Sequence, residues 1–137
     1  MRSAKCGMRS IKQRSGESTK MSHDNLKQRT QQFALRIIRL VEMLPKGKVP
    51  DVIGRQLLRS GTSVGANYRA ACRAKSPADF ISKMGTVEEE TDESLFWMEL
   101  LVAAELMSEQ RLSELISEAK EILAIAVTSI RTAKRTS

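Results

Sequence analysis

Arg55, Arg59, Arg69 and Arg73 recur on one stripe of a helical wheel, and Lys75 follows them in the next turn. Guanidinium groups set in a row suit one chemistry above others: charge-assisted, often bidentate hydrogen bonds to phosphate oxygens. The same stretch holds a second feature. In "GTSVGANYRAACRAKS", residues 61–76, Gly61 and Gly65 stand just ahead of Arg69, Arg73 and Lys75. A phosphate-cradling loop needs GxxxxGK[ST] between a strand and a helix, so that free backbone amides and a lysine converge on the ligand. Here the spacing differs, no Lys-Ser or Lys-Thr follows Gly65, and no strand pattern precedes it, which excludes that loop.

Gly54, Gly61, Gly65 and Cys72 instead share a flank beside the apolar arc of Ile53, Leu57, Val64, Tyr68 and Ala71. Each internal glycine costs a helix about 0.5–1 kcal/mol relative to alanine, so the row needs an offsetting gain. Close approach of another helix supplies one, and a kink or break near Gly61-Thr62-Ser63 is the alternative. The arginines face away from the apolar arc. A solvated stripe pairing with acids of the next helix is the plainer account of any single charge run. Four arginines, Lys75, Lys83 and a basic N-terminal segment together favour a polyanion, RNA or DNA. Tyr68 and Trp97 sit on apolar arcs and leave no surface aromatics to stack bases, so the binding is expected to be electrostatic and weakly sequence-specific.

Other constellations fail on residue type. The acidic run "EEETDE", residues 88–93, invites a carboxylate metal site, but the chain has 1 His, His23, and no Glu-x-x-His. Glu89, Asp92 and Glu93 read as one polar face, with Glu88 and Glu90 nearer the apolar arcs. Cys6 and Cys72 match neither a disulfide framework nor a zinc spacing and read as reduced thiols. With no nucleophile beside a base, the chain is expected to be no enzyme and to hold no metal or cofactor.

The elements that must position the arginines are helices. The chain has 137 residues, 3 Pro and 4% aromatics, and no strand pattern. Leu26, Phe33, Ile37, Leu40, Val41 and Leu44 repeat at helical period, predicting a helix over 23–44 with Ser22 or Asp24 as N-cap and Pro45 as stop. A second helix over 50–74 opens at Pro50 and Asp51. Ser76, Pro77 and Asp79 open a third over 77–108. A fourth, over 110–134, carries Leu112, Leu115, Ile116, Ala119, Ile122, Leu123, Ala126, Val127 and Ile130 and ends in the basic "RTAKR". Short links between them predict an all-α, antiparallel up-down-up-down four-helix bundle. On the third helix Phe96, Trp97, Leu100 and Leu101 add a second apolar side, more than one core absorbs. A subunit interface is expected at Phe96, Trp97 and Leu101, with Gly61 and Gly65 as close-packing positions.

Net charge is +7, but residues 1–22 hold six basic residues and one acid, leaving 17 basic and 15 acidic residues for 23–137. That segment is expected to be a disordered basic tail, and Met21 sits where the compact domain would naturally begin. No apolar run is long enough to span a bilayer, and the N-terminus lacks the apolar core of a secretory signal, so a cytoplasmic protein is expected.

Residues 57–101, "LLRSGTSVGANYRAACRAKSPADFISKMGTVEEETDESLFWMELL", closely resemble the segment that marks the four-helix-bundle proteins related to those encoded in 23S rRNA intervening sequences. The similarity is densest at "SVGANYRAA", "SPADFISK" and "DESLFW", and weaker matching extends it over about residues 26–130. The resemblance implies a ring-like homopentamer. The family also includes the accessory variability protein of diversity-generating retroelements, which binds nucleic acid and associates with a reverse transcriptase. Carried onto this chain, that implies Arg69 and Arg73 as nucleic-acid positions, and a reverse transcriptase partner if the gene is retroelement-associated. Two readings stay open: a non-enzymatic oligomer that binds nucleic acid, and a structural or protein-partner scaffold whose arginines pair with acids.

Overall fold

The computed structural model describes residues 18–136, so what the sequence leads one to expect of residues 1–17, Cys6 included, lies outside the described residues. Four α-helices carry the chain: α1 Ser18–Glu42, α2 Lys48–Cys72, α3 Pro77–Ala103 and α4 Glu109–Thr136, with no strand among the described residues. None of the helices is long and apolar enough to cross a membrane. α2 packs on α1 and α3, α3 packs on α4, and α1 touches α4 more sparsely. Their apolar stripes meet in one core, where Phe33, Ile37, Leu57, Val64, Tyr68, Met84, Met98, Leu112 and Ile122 are all buried.

The helix ends differ from the sequence reading where local chemistry intervenes. α1 starts ahead of Ser22 and Asp24, the expected caps. α2 starts at Lys48 rather than Pro50, because Gly47 takes φ +150 and its carbonyl accepts the first bond from the Asp51 amide at 3.1 Å. Pro50 then falls in the first turn, where a missing N–H leaves nothing unsatisfied. Through Gly61-Thr62-Ser63 the helix continues without a break. The Thr62 and Ser63 hydroxyls donate back to the carbonyls of Leu58 and Arg59, both at 2.8 Å, so they bond within the helix rather than ending it.

α3 begins as its sequence predicts. The Ser76 hydroxyl accepts from the Asp79 amide at 3.0 Å, with Pro77 at the first helical position. Its C-terminus comes earlier than expected, at Ala103 instead of residue 108. There Glu105 adopts φ 60, its amide bonds the Val102 carbonyl, and the Leu106 amide bonds the Leu101 carbonyl at 2.9 Å. This pair of bonds is a Schellman end, whose left-handed residue is usually glycine. No glycine marks it in the sequence, and a carboxylate side chain occupies the strained position instead. Glu105→Gly is therefore expected to raise stability by about 0.5–1 kcal/mol, relief of left-handed strain outweighing the added freedom of the unfolded chain. Urea unfolding of the pair checks this, and an unchanged or lower midpoint would contradict it.

Polar contacts also tie the helices together. Between α2 and α3 the buried Ser94 hydroxyl has two acceptors for its proton, the Ser60 hydroxyl at 3.0 Å and the Glu90 carbonyl of its own helix at 2.9 Å, while Ser60 donates to the Leu57 carbonyl, so neither is left unsatisfied. Between α1 and α4, Arg29 grips Glu118 with two bonds of 2.8 Å and reaches Glu121 at 2.7 Å. Arg29 holds the Glu118 carboxyl below the usual carboxylate range, so the clasp is charged at neutral pH.

Candidate nucleic-acid interface

α2 presents its arginines away from the core, but the structure divides the stripe. Arg55 pairs with Asp51 one turn earlier at 2.9 Å, an exposed bridge on α2 itself. Arg59 crosses to α3 and meets both Glu90 and Glu93. Glu93 also accepts from the Trp97 indole at 2.9 Å, and these two donors, Arg59 first, hold its carboxyl below the usual range. Arg59 therefore helps fasten α2 to α3 and fixes the orientation of Trp97, as the plainer account of the stripe expected. Exposed ion pairs of this kind add little stability, but they do neutralise the charge that a phosphate would need.

Arg69 and Arg73 are different. Both are exposed, and neither has an acidic partner among the described residues. Arg73 lies just past the last helical residue of α2. Lys75 is exposed in the turn that follows, and its backbone amide donates to Asp79 at 3.1 Å. Asp79 is itself engaged by the Lys83 ammonium, which, with that amide, holds its carboxyl below the usual range. Of the five basic residues singled out in the sequence, the structure leaves Arg69, Arg73 and Lys75 together, and sets Arg55 and Arg59 against carboxylates.

The expected subunit-interface residues also divide. Gly61 is buried against α1 of the same chain: a Cβ built there would lie 2.8 Å from Cγ1 and 2.9 Å from Cγ2 of Ile37. Gly65 faces Thr30, with the nearest atom 3.3 Å from such a Cβ. These glycines let α2 approach its own neighbour, which corrects their assignment to an interface between copies. Leu101 is corrected likewise, since it is fully buried in the core. Phe96 remains 54% exposed, stacked edge-to-face on half-buried Trp97 at 4.9 Å. Val49 and Val52, on the first turns of α2, are exposed to a similar degree.

The acidic run holds no metal cluster: among the described residues no three His, Cys, Asp or Glu side chains come together. Glu90 and Glu93 turn to Arg59 instead. Sequence reasoning missed Ser60, Ser94 and the Arg29 clasp. Ser94 falls in helical register with Val87 and Met98, both buried on α3, and a serine on such an apolar stripe is the signal that was available.

The family model of the 23S rRNA-intervening sequence proteins matches residues 23–128. A crystal structure of a protein of unknown function from the S23 ribosomal protein family of Bacteroides thetaiotaomicron VPI-5482 is 35% identical, with a TM-score of 0.72, over 77% of this chain and 97% of that one. No curated protein matches the sequence.

Proposed function

The chain belongs to the 23S rRNA-intervening sequence protein family, and we propose that it is a non-enzymatic, cytoplasmic bundle that assembles with its own copies and binds RNA or DNA through backbone phosphates. The observation that carries the binding is the exposure of Arg69 and Arg73 without acidic partners among the described residues, beside Lys75. Guanidinium groups so placed are available to phosphate oxygens, and their contacts carry no base information. Low sequence specificity follows.

The bundle is read as up-down-up-down. Contacts from α1 support this course: Thr30 meets Gly65, Ile37 meets Gly61, and Val41 and Leu44 meet Gly54, so residue numbers fall along α2 as they rise along α1. Assembly, as a ring-like homopentamer, is supported by the exposed apolar residues Phe96, Val49 and Val52. A scaffold without nucleic-acid binding is the second reading, favoured by the pairing of Arg59 with Glu90 and Glu93.

One preparation tests both parts. Native mass spectrometry is expected to give five times the 15.3 kDa chain, and a monomer at micromolar concentration would remove the interface. Filter binding of mixed-sequence RNA and DNA is expected to weaken log-linearly with salt. Absence of binding at low salt would leave the scaffold reading.

A further inference from the structure

Two patches of exposed apolar residues lie on different faces of the bundle. Contacts run from α1 to α2, α2 to α3, α3 to α4 and α4 to α1, with none across the diagonals among the described residues, so the helices stand at the corners of a square. On α2, Leu58 lies one turn from Gly54 and one turn from Gly61, and both glycines face α1. Leu58 is therefore exposed beside the seam between α1 and α2. On α1, Ile38 lies one turn before Val41, which meets Gly54, and Leu35 lies one turn before Ile38. Both are exposed on the outer side of the same seam.

The second patch borders the seam between α2 and α3. Arg59 of α2 meets Glu93 of α3, which also accepts from Trp97, and Trp97 carries Phe96 edge-to-face. On α2 the Arg59 side continues through Gln56 to Val52 and Val49, at steps of three, four and three residues. Exposed Phe96, Val52 and Val49 thus border half-buried Trp97 and Leu100 on the adjacent face of the square.

The two patches also match in height. Ile38 lies between Ile37, which meets Gly61, and Val41, which meets Gly54, and Leu58 lies between those two glycines. Ser60 meets Ser94, and the short link between α2 and α3 folds one helix back on the other, so Leu58 and Phe96, each two residues away, stand level. Ile38, Leu58 and Phe96 therefore share one height, to within about 3 Å at 1.5 Å per residue. Copies related by rotation about an axis along the bundle are not shifted along it, so residues that meet across their interface must be level. A heterologous contact further requires each copy to present both halves of it. Faces set at about a right angle turn successive copies round the axis and close a small ring, whereas opposite faces would string them into a filament.

Building on the assembly reading above, we infer that the α1/α2 face of one copy packs on the α2/α3 face of the next, with Leu35, Ile38 and Leu58 against Val52, Phe96 and Trp97. The two faces share α2 as their common edge. That edge turns toward the axis of the ring, and it brings the outward Arg69 and Arg73 of every copy around one centre.

Native mass spectrometry of the full chain and its variants tests the pairing. The unaltered protein is expected to assemble, while Ile38→Glu/Leu58→Glu and Val52→Glu/Phe96→Glu, each with one face altered, are expected to be monomers on their own. Mixed in equal amounts, they are expected to give a heterodimer of about twice the 15.3 kDa chain and nothing larger, because each retains the face that the other lacks. A patch that met its own copy would not be rescued by mixing. Thr128→Glu, exposed on α4 and on neither face, is expected to leave assembly unchanged. Glutamate is a good helix former and the altered positions are exposed, with helix content checked by circular dichroism. Should either pair lose helix, glutamine at the same positions takes its place. Assembly that persists in either variant, or a mixture that stays monomeric, overturns the pairing and leaves the assembly reading standing. A monomeric unaltered protein overturns both.

Discussion

Gly61→Ala is expected to destabilise the bundle by about 1–2 kcal/mol, against the direction that helix propensity alone would give. The new methyl would stand 2.8 and 2.9 Å from the two γ carbons of Ile37 and 3.2 Å from its Cβ. Ile37 is fully buried and branched at Cβ, so it has neither space nor a spare rotamer with which to retreat. The gain of about 1 kcal/mol from replacing a helical glycine is outweighed by the overpacking. Gly85 supplies the control: it too lies within a helix, but nothing stands within 4 Å of the Cβ it would gain. Gly85→Ala is expected to stabilise by about 0.5–1 kcal/mol, so two chemically identical changes differ in sign. Urea unfolding reads both. A double-mutant cycle with Ile37→Ala should show coupling of at least about 0.5 kcal/mol, because removing the γ carbons makes room for the methyl. A neutral or stabilising Gly61→Ala would contradict the close approach of α1 and α2.

The same glycine shows how much was legible before the structure. Helical period gave four helices and the core side of each, because an apolar residue every three or four positions is a local property of the chain. It also separated the small-residue flank of α2 from its charged stripe. What it could not supply was the identity of the neighbour. A flank of glycines fits a helix of the same chain as well as one of another copy, and Gly61 and Gly65 went to the wrong partner for that reason; Leu101 did so because helical period does not tell which of two apolar sides of α3 faces the core. Arg59 shows the converse. Its acids lie 31 and 34 residues away, and Arg29 finds Glu118 at a separation of 89. No periodicity links such positions.

The charge distribution was hidden in a related way. Counting along the chain spreads basic and acidic residues almost evenly beyond the N-terminal segment, since each helix visits both ends of the bundle. Folding gathers the C-termini of α2 and α4 at one end and the acids of α3 toward the other. The Glu105 turn was unreadable for a simpler reason: a left-handed residue with a side chain carries no sequence mark.

The second large effect bears on function. Arg69→Glu/Arg73→Glu is expected to weaken nucleic-acid binding by about 100-fold or more at about 0.1 M salt, since each phosphate contact contributes roughly tenfold there. Reversal exceeds removal, because the new carboxylates repel the backbone. In a ring of copies the loss multiplies with the number of subunits in contact. Stability should be little changed, because neither arginine makes an ion pair among the described residues. Arg55→Glu is the matched comparison, since Arg55 is exposed on the same helix but lies against Asp51.

The most direct test of phosphate binding by the α2 arginines is the affinity of these proteins for one mixed-sequence nucleic acid as salt rises. A steep log-linear fall is expected for the unaltered protein, a shallower and much weaker curve for Arg69→Glu/Arg73→Glu, and a far smaller change for Arg55→Glu. Superimposable curves for all three, or no binding by the unaltered protein at low salt, would contradict it.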